Sequence, residues 1–225
     1  MAAAEQRMTC TTDPAAPCGT CGLSGRLLCK WDARVLRAFL VPAISLCLLG
    51  LGAMALTGLL SGAWWPLAAY GAFMVFFFPV FEIRILCSHC PFYAGEGFML
   101  RCPANHGAPR LWRYRPGPMR VWEKAALLAG FAVFGGAPLA TGTYNIIITA
   151  GAGYGAITLA AMSGLAAATL FVGFSLYVLL RGHVCPRCVN FSCPLNLTPE
   201  TLKREYLRLN PEMQAAWERA GYRLD

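Results

Sequence analysis

Three short cysteine groups carry most of the reactive side chains of this sequence: Cys18-Gly-Thr-Cys21-Gly followed by Cys29, Cys87-Ser-His-Cys90-Pro followed by Cys102, and Cys185-Pro-Arg-Cys188 followed by Cys193-Pro. A Cys-x-x-Cys pair sets two thiolates around one metal from a single tight turn, and small or proline residues beside it leave backbone N–H groups free to face the sulfurs. One pair alone could equally be a redox dithiol; three in one chain of 225 residues point to metal. The candidate ligands are Cys18, Cys21, Cys29, Cys87, Cys90, Cys102, Cys185, Cys188 and Cys193. Cys10 and Cys47 stand outside the groups. No triplet completes a four-coordinate site by itself, so ligands are expected to be shared between segments. His89, His106 and His183 are further candidates, since Cys102-x3-His106 and His183-x-Cys185 permit chelation; the alternative for each is a polar loop residue.

Zinc is the leading expectation for the metal, because it explains paired turns plus distant single cysteines and stabilises loop-rich regions too small for their own core. The five residues Cys18-Gly-Thr-Cys21-Gly resemble the ligand turn of zinc ribbons and rubredoxins, which implies a metal-binding turn there and nothing about the remaining chain. Iron–sulfur clusters are the alternative. Cys90, Cys102, Cys185 and Cys193 each precede proline, a step also found at the end of the bacterial ferredoxin run, although the full run is absent. Thiol redox work or handling of soft metals such as mercury or copper(I) is the third reading.

The elements that position these groups follow from charge. The composition is 57% hydrophobic and 13% charged, with a mean hydropathy of +0.50, which departs from soluble globular chains. No Asp, Glu, Lys or Arg occurs from Ala38 to Phe81 or from Ala125 to Leu180. A membrane helix needs roughly 20 apolar residues, so each span holds two. Turn formers and tryptophans at 61–66, and glycines at 151–155, break the spans into helices expected at 38–60, 65–86, 125–149 and 155–180. All 19 Lys and Arg lie before Ala38, between Glu82 and Lys124, or after Leu180, so the positive-inside rule puts these segments on the cytoplasmic side. The net charge of +8 is thereby a topology signal. Residues 1–30 hold no apolar stretch of signal-peptide length, and cytosolic cysteines favour metal over disulfides.

The expected fold is an all-α integral membrane protein, a bundle of four transmembrane helices with a cysteine-rich, metal-stabilised cytoplasmic face. Its segments are a Cys-rich N-terminus (1–37), a hairpin (38–86), a Cys/Arg-rich loop (87–124), a second hairpin (125–180) and a tail (181–225). The helix cores lack ionisable residues, so no proton path is expected. Glu82 is expected to pair with Arg84 or to orient a ligand. Asn145, Thr141 and Thr143 are expected to hydrogen-bond between helices, and glycines including Gly135, Gly136, Gly142, Gly155, Gly164 and Gly173 to permit close packing.

Residues 110–124, RLWRYRPGPMRVWEK, alternate cations with aromatics and read as a strap on anionic lipid; nucleic-acid binding is not expected, as no such motif accompanies them. In the tail, Thr198-Pro199 and Asn210-Pro211 each open a helix, and Leu202, Tyr206, Leu209, Met213 and Trp217 form an apolar stripe that packs on the metal region or docks a partner. No nucleotide-binding, hydrolase or metalloprotease motif is present, so no catalytic residue is named. The expected role is a multi-pass scaffold or docking platform for a cytoplasmic or membrane protein; an iron–sulfur electron-transfer subunit is the main alternative.

Overall fold

The computed structural model describes residues 9–224. Residues 1–8, part of the stretch read as lacking a signal peptide, and residue 225, the end of the tail, lie outside the described residues. Among the described residues the structure is helical, with two isolated β-bridges and no strand. Four helical spans are long and apolar enough to cross a membrane, which makes the chain a multi-pass membrane protein.

Helix α1 runs Ala33–Ser61. It starts before residue 38 because Asp32 caps it, its carboxylate accepting from the Arg34 N–H at 2.6 Å, while Arg34 and Arg37 face water on the first turns. Gly62, at φ 74°, turns the chain out of α1, a left-handed conformation that glycine adopts without strain. Helix α2 begins at Trp65 with Pro66 in its first turn, is regular to Phe76, passes through a π turn at Phe77–Glu82 and resumes over Ile83–Ile85. Pro79 lies within that π turn; its missing N–H interrupts the regular ladder. Helix α3, Val121–Gly151, starts ahead of residue 125 because the Glu123 carboxylate reaches back to accept from the Arg120 N–H at 2.8 Å. Helix α4 spans Ala156–Leu179 and also ends in a π turn, Leu180–Val184.

Most polar groups inside the bundle are paired, as an apolar solvent requires, the buried Thr149 hydroxyl being an exception. Pro138 deprives the Phe134 carbonyl of its helical donor, and the Tyr70 hydroxyl donates to that carbonyl from α2 at 2.9 Å. Asn145 joins α3 to α1: its amide donates to the Ala53 carbonyl and accepts from the Thr57 hydroxyl, both at 2.8 Å. Thr141 and Thr143, expected to act between helices, instead donate to carbonyls of their own helix, Ala137 and Leu139.

The glycines show a similar redistribution. A Cβ at Gly135, Gly136, Gly155 or Gly164 would meet nothing within 4 Å, whereas at Gly130 it would lie 1.9 Å from the Phe77 ring. Gly130 is therefore the position where α2 and α3 depend on a missing side chain. Gly130→Ala is expected to cost about 1–3 kcal/mol through overpacking, read as a lowered thermal midpoint of the detergent-solubilised protein, while Gly136→Ala leaves the midpoint unchanged.

The N-terminal segment, the loop and the tail fold together at one end of the bundle. Leu23, Leu27, Phe92, Val189, Phe191, Tyr206 and Trp217 form a separate core there, with Cys10, Cys21, Cys29 and Cys90 packed against it. Helices α5, Glu200–Arg208, and α6, Pro211–Arg219, supply its outer wall. Leu202, Tyr206, Met213 and Trp217 of the predicted stripe face this core, whereas Leu209 is exposed.

Candidate metal centres

Helices α2 and α4 deliver their cysteine pairs in the same way. Each passes from its π turn into a 3-10 turn, Cys87–His89 in one case and Cys185–Arg187 in the other. In both, the N–H of the second cysteine donates to the carbonyl of the first, Cys90 to Cys87 at 2.9 Å and Cys188 to Cys185 at 3.4 Å. The second cysteines then adopt nearly identical extended backbones, φ −84° and ψ 137° for Cys90, φ −80° and ψ 129° for Cys188. Two helical hairpins thus present two similar cysteine turns to the same end of the molecule.

Between these turns lies a cavity of about 140 Å³ whose wall includes Cys87, Cys90, Cys102, Cys188 and Cys193. Apolar residues close it: Leu100, Val189 and Phe92 from the head, Val35 and Phe39 from α1, and Leu180 and Val184 at the end of α4. At four of the sulfurs the backbone N–H two residues on faces the sulfur, Phe92 at Cys90, Ala104 at Cys102, Asn190 at Cys188 and Leu195 at Cys193, and at Cys188 it donates a hydrogen bond of 3.4 Å. At Cys90, Cys102 and Cys193 the intervening residue is proline, which has no N–H of its own and sets the turn that exposes the next one. Three of the four Cys-Pro steps in the sequence, at Cys90, Cys102 and Cys193, in this way turn a backbone N–H toward the sulfur. Asn105 N adds a further bond to the Cys102 sulfur at 3.0 Å.

Cys87 and Cys185, the first members of the pairs, lack that pattern. Cys87 accepts from the Asn105 side chain at 3.1 Å, and the same amide donates to Glu82 at 3.2 Å. Glu82 is therefore coupled to a cysteine through Asn105 rather than paired with Arg84. Its second carboxylate oxygen, buried in the cavity wall, has no hydrogen-bond partner. Cys185 lies outside the cavity wall, and its carbonyl accepts from Leu197 N–H and the Thr198 hydroxyl. Thr198, expected to cap α5, instead donates to the carbonyls of the Cys185–Cys188 turn, at 2.8 Å to Cys188; α5 begins after Pro199 without a side-chain cap.

A second centre forms wholly within the N-terminal segment and includes a cysteine outside the predicted triplets. Cys10, Cys18, Cys21 and Cys29 line one open cavity of about 740 Å³. Cys10 is held by Asn210, whose carbonyl oxygen accepts from Cys10 N–H at 2.7 Å and whose amide donates to the Cys10 sulfur at 3.2 Å. The Asn210 side chain is thus drawn away from capping α6, and it also donates to the Tyr206 carbonyl at 2.7 Å. The Thr11 and Tyr206 hydroxyls, 2.6 Å apart, fasten the same stretch to the tail. Replacing Asn210 by alanine leaves the buried Cys10 N–H without its acceptor, and is expected to cost about 1–3 kcal/mol, measured as earlier proteolysis of the N-terminal segment on heating.

Burial disfavours the thiolate form of Cys29 and of the inner cysteines. Burial, then the neighbouring Cys10, Cys21 and Cys18 thiols, push the Cys29 thiol up to about 12. Burial does the same in the inner set, bringing Cys188 to about 11 and Cys193 to about 12 and raising Cys90 and Cys102. At neutral pH these buried thiols are therefore held in the neutral form.

The histidines lie elsewhere, and neither cavity wall contains one. His89 is buried, its Nδ1 2.6 Å from the Gly117 carbonyl and its Nε2 3.5 Å from Glu123. Arg115 completes that group, donating to Glu123 at 2.8 Å, to the Arg84 carbonyl and to the Ser88 hydroxyl, so part of the predicted lipid strap is spent in pinning the first ligand turn to α3. His106 stacks on Trp31 with ring centres 4.8 Å apart, and His183 is exposed on the α4 π turn. Cys47 packs in the bundle core as an apolar filler.

Among the described residues no three Cys, His, Asp or Glu side chains converge on a position for a single metal ion. The sulfurs of each set instead line the walls of a cavity. No protein-family model, curated protein or solved structure matches this chain.

Proposed function

We propose that the protein is a membrane-anchored iron–sulfur protein that carries electrons at the cytoplasmic face. The observation that supports this reading best is the inner cavity: Cys90 and Cys102 from the loop, and Cys188 and Cys193 from the tail, line one apolar space, and backbone N–H groups bond to the Cys102 and Cys188 sulfurs at 3.0 and 3.4 Å. Iron–sulfur clusters are held by four cysteine thiolates spread around an inorganic core, and hydrogen bonds to those sulfurs tune the potential. Zinc would draw four donors to about 2.3 Å from one ion, and wall-lining sulfurs fit that demand less well than they fit a cluster. The cytoplasmic assignment rests on the absence of every Lys and Arg from Ala38–Phe81 and Ala125–Leu180. In this reading the helices anchor the head to lipid, and a soluble or membrane protein supplies or takes the electrons.

Protein purified without oxygen is expected to be brown, to contain iron and acid-labile sulfide in equal amounts, and to bleach on reduction. A colourless preparation holding stoichiometric zinc would contradict the proposal and return the head to the role of a structural docking platform.

A further inference from the structure

The two cysteine centres touch the same residue. Leu28 lines both the inner and the outer cavity. It precedes Cys29 of the outer set, and its backbone N–H donates at 2.7 Å to the carbonyl of Arg187, which precedes Cys188 of the inner set. The carbonyl of Arg187 and the nitrogen of Cys188 belong to one peptide unit. A route from the Cys29 sulfur to the Cys188 sulfur thus runs along covalent backbone, crosses one short hydrogen bond and continues along covalent backbone. A second contact, from the Arg187 guanidinium to the Gly25 carbonyl at 3.2 Å, clasps the same two strands of chain.

The two centres also differ in access. The outer cavity is lined by exposed Thr20, Ser24 and Gly25, whereas Val35, Phe39, Leu180 and Val184, from α1 and the end of α4, line the inner one.

On the iron–sulfur reading above, we propose that the centres form a two-step electron relay joined through the Leu28–Arg187 hydrogen bond, the outer cluster receiving electrons from an aqueous one-electron carrier and the inner cluster holding them at the membrane. In the first step the carrier loses one electron and the outer cluster gains it. In the second the outer cluster is reoxidised by one electron as the inner cluster is reduced. Neither step makes or breaks a covalent bond, and neither requires a proton.

Electron paramagnetic resonance of the whole protein, purified anaerobically and reduced with sodium dithionite, tests the relay. The fully reduced protein is expected to show splitting from the interaction of two nearby spins. Cys21→Ser is expected to lose the outer cluster and the splitting together while the inner cluster's signal persists in simplified form. Cys10→Ser provides a second route to the same comparison. Two clusters whose signals merely add, with the inner signal unchanged in Cys21→Ser, overturn the relay and leave the iron–sulfur reading intact. Protein without iron overturns both.

Discussion

Cys90→Ser and Cys188→Ser are each expected to abolish the entire inner cluster, whereas Cys185→Ser leaves it in place. The sequence groups Cys185 with Cys188 as one pair, so a ligand assignment from spacing would treat them alike. Their surroundings separate them: Cys188 lines the inner cavity and receives the Asn190 N–H, while Cys185 lies outside the cavity wall and its carbonyl serves as an acceptor within the turn. Because Cys90 comes from the loop after α2 and Cys188 from the tail after α4, the proposed inner cluster would join two segments remote in sequence. Loss of either thiolate from a four-thiolate site removes the cluster rather than a fraction of it. The check is inner-cluster absorbance and iron content of each variant. Equal loss in Cys185→Ser would show that the hydrogen-bond pattern does not identify the ligands.

Removal of both clusters is expected to open the head while the bundle stays folded. The head is small, and the cysteine segments meet mostly at loops and turns, a situation in which bound metal supplies folding free energy directly. Without it, the buried inner thiols would remain neutral, and the cavity of about 140 Å³ would be left as an unfilled space. The bundle has an independent core around Leu46, Met54, Tyr70, Phe134 and Leu176 and paired polar groups at Asn145 and Tyr70. After chelation, trypsin is expected to cut at exposed Arg26, Lys30, Arg101 and Arg187 much faster than in loaded protein, while helical circular dichroism changes little. Unchanged protection would mean that the head's apolar core suffices alone.

The bundle was legible because the two uncharged stretches leave little freedom in placing four helices. Its edges moved outward where Asp32 and Glu123 cap the helices one turn into charged sequence. The meeting of loop and tail cysteines at one cavity wall agrees with triplets that are each incomplete alone. Cys10 was missed because it stands alone, outside any pair motif. The spacing held a signal all the same: Cys10 precedes Cys18 by the same interval at which Cys29 follows Cys21, so the outer set is symmetric about its turn.

Thr198 and Asn210 show why local rules failed near the sites. Each stands before a proline and reads as a helix cap, but each spends its side chain on a cysteine segment instead. Histidine spacing misled for a related reason: His89 sits within a ligand turn yet points to Glu123 and Gly117, since neighbours in a 3-10 turn diverge in direction. The close-packing glycines could not be chosen from composition, because only the rotation of each helix decides which of them meets a neighbour.

The central claim, two separate four-thiolate clusters in one head, is tested most directly by Mössbauer spectroscopy of anaerobic, iron-isotope-enriched protein beside its Cys10→Ser and Cys90→Ser variants. The account predicts two clusters in the parent chain, the inner alone in Cys10→Ser and the outer alone in Cys90→Ser. A single cluster in the parent that survives Cys10→Ser, or one lost in both variants, would contradict it.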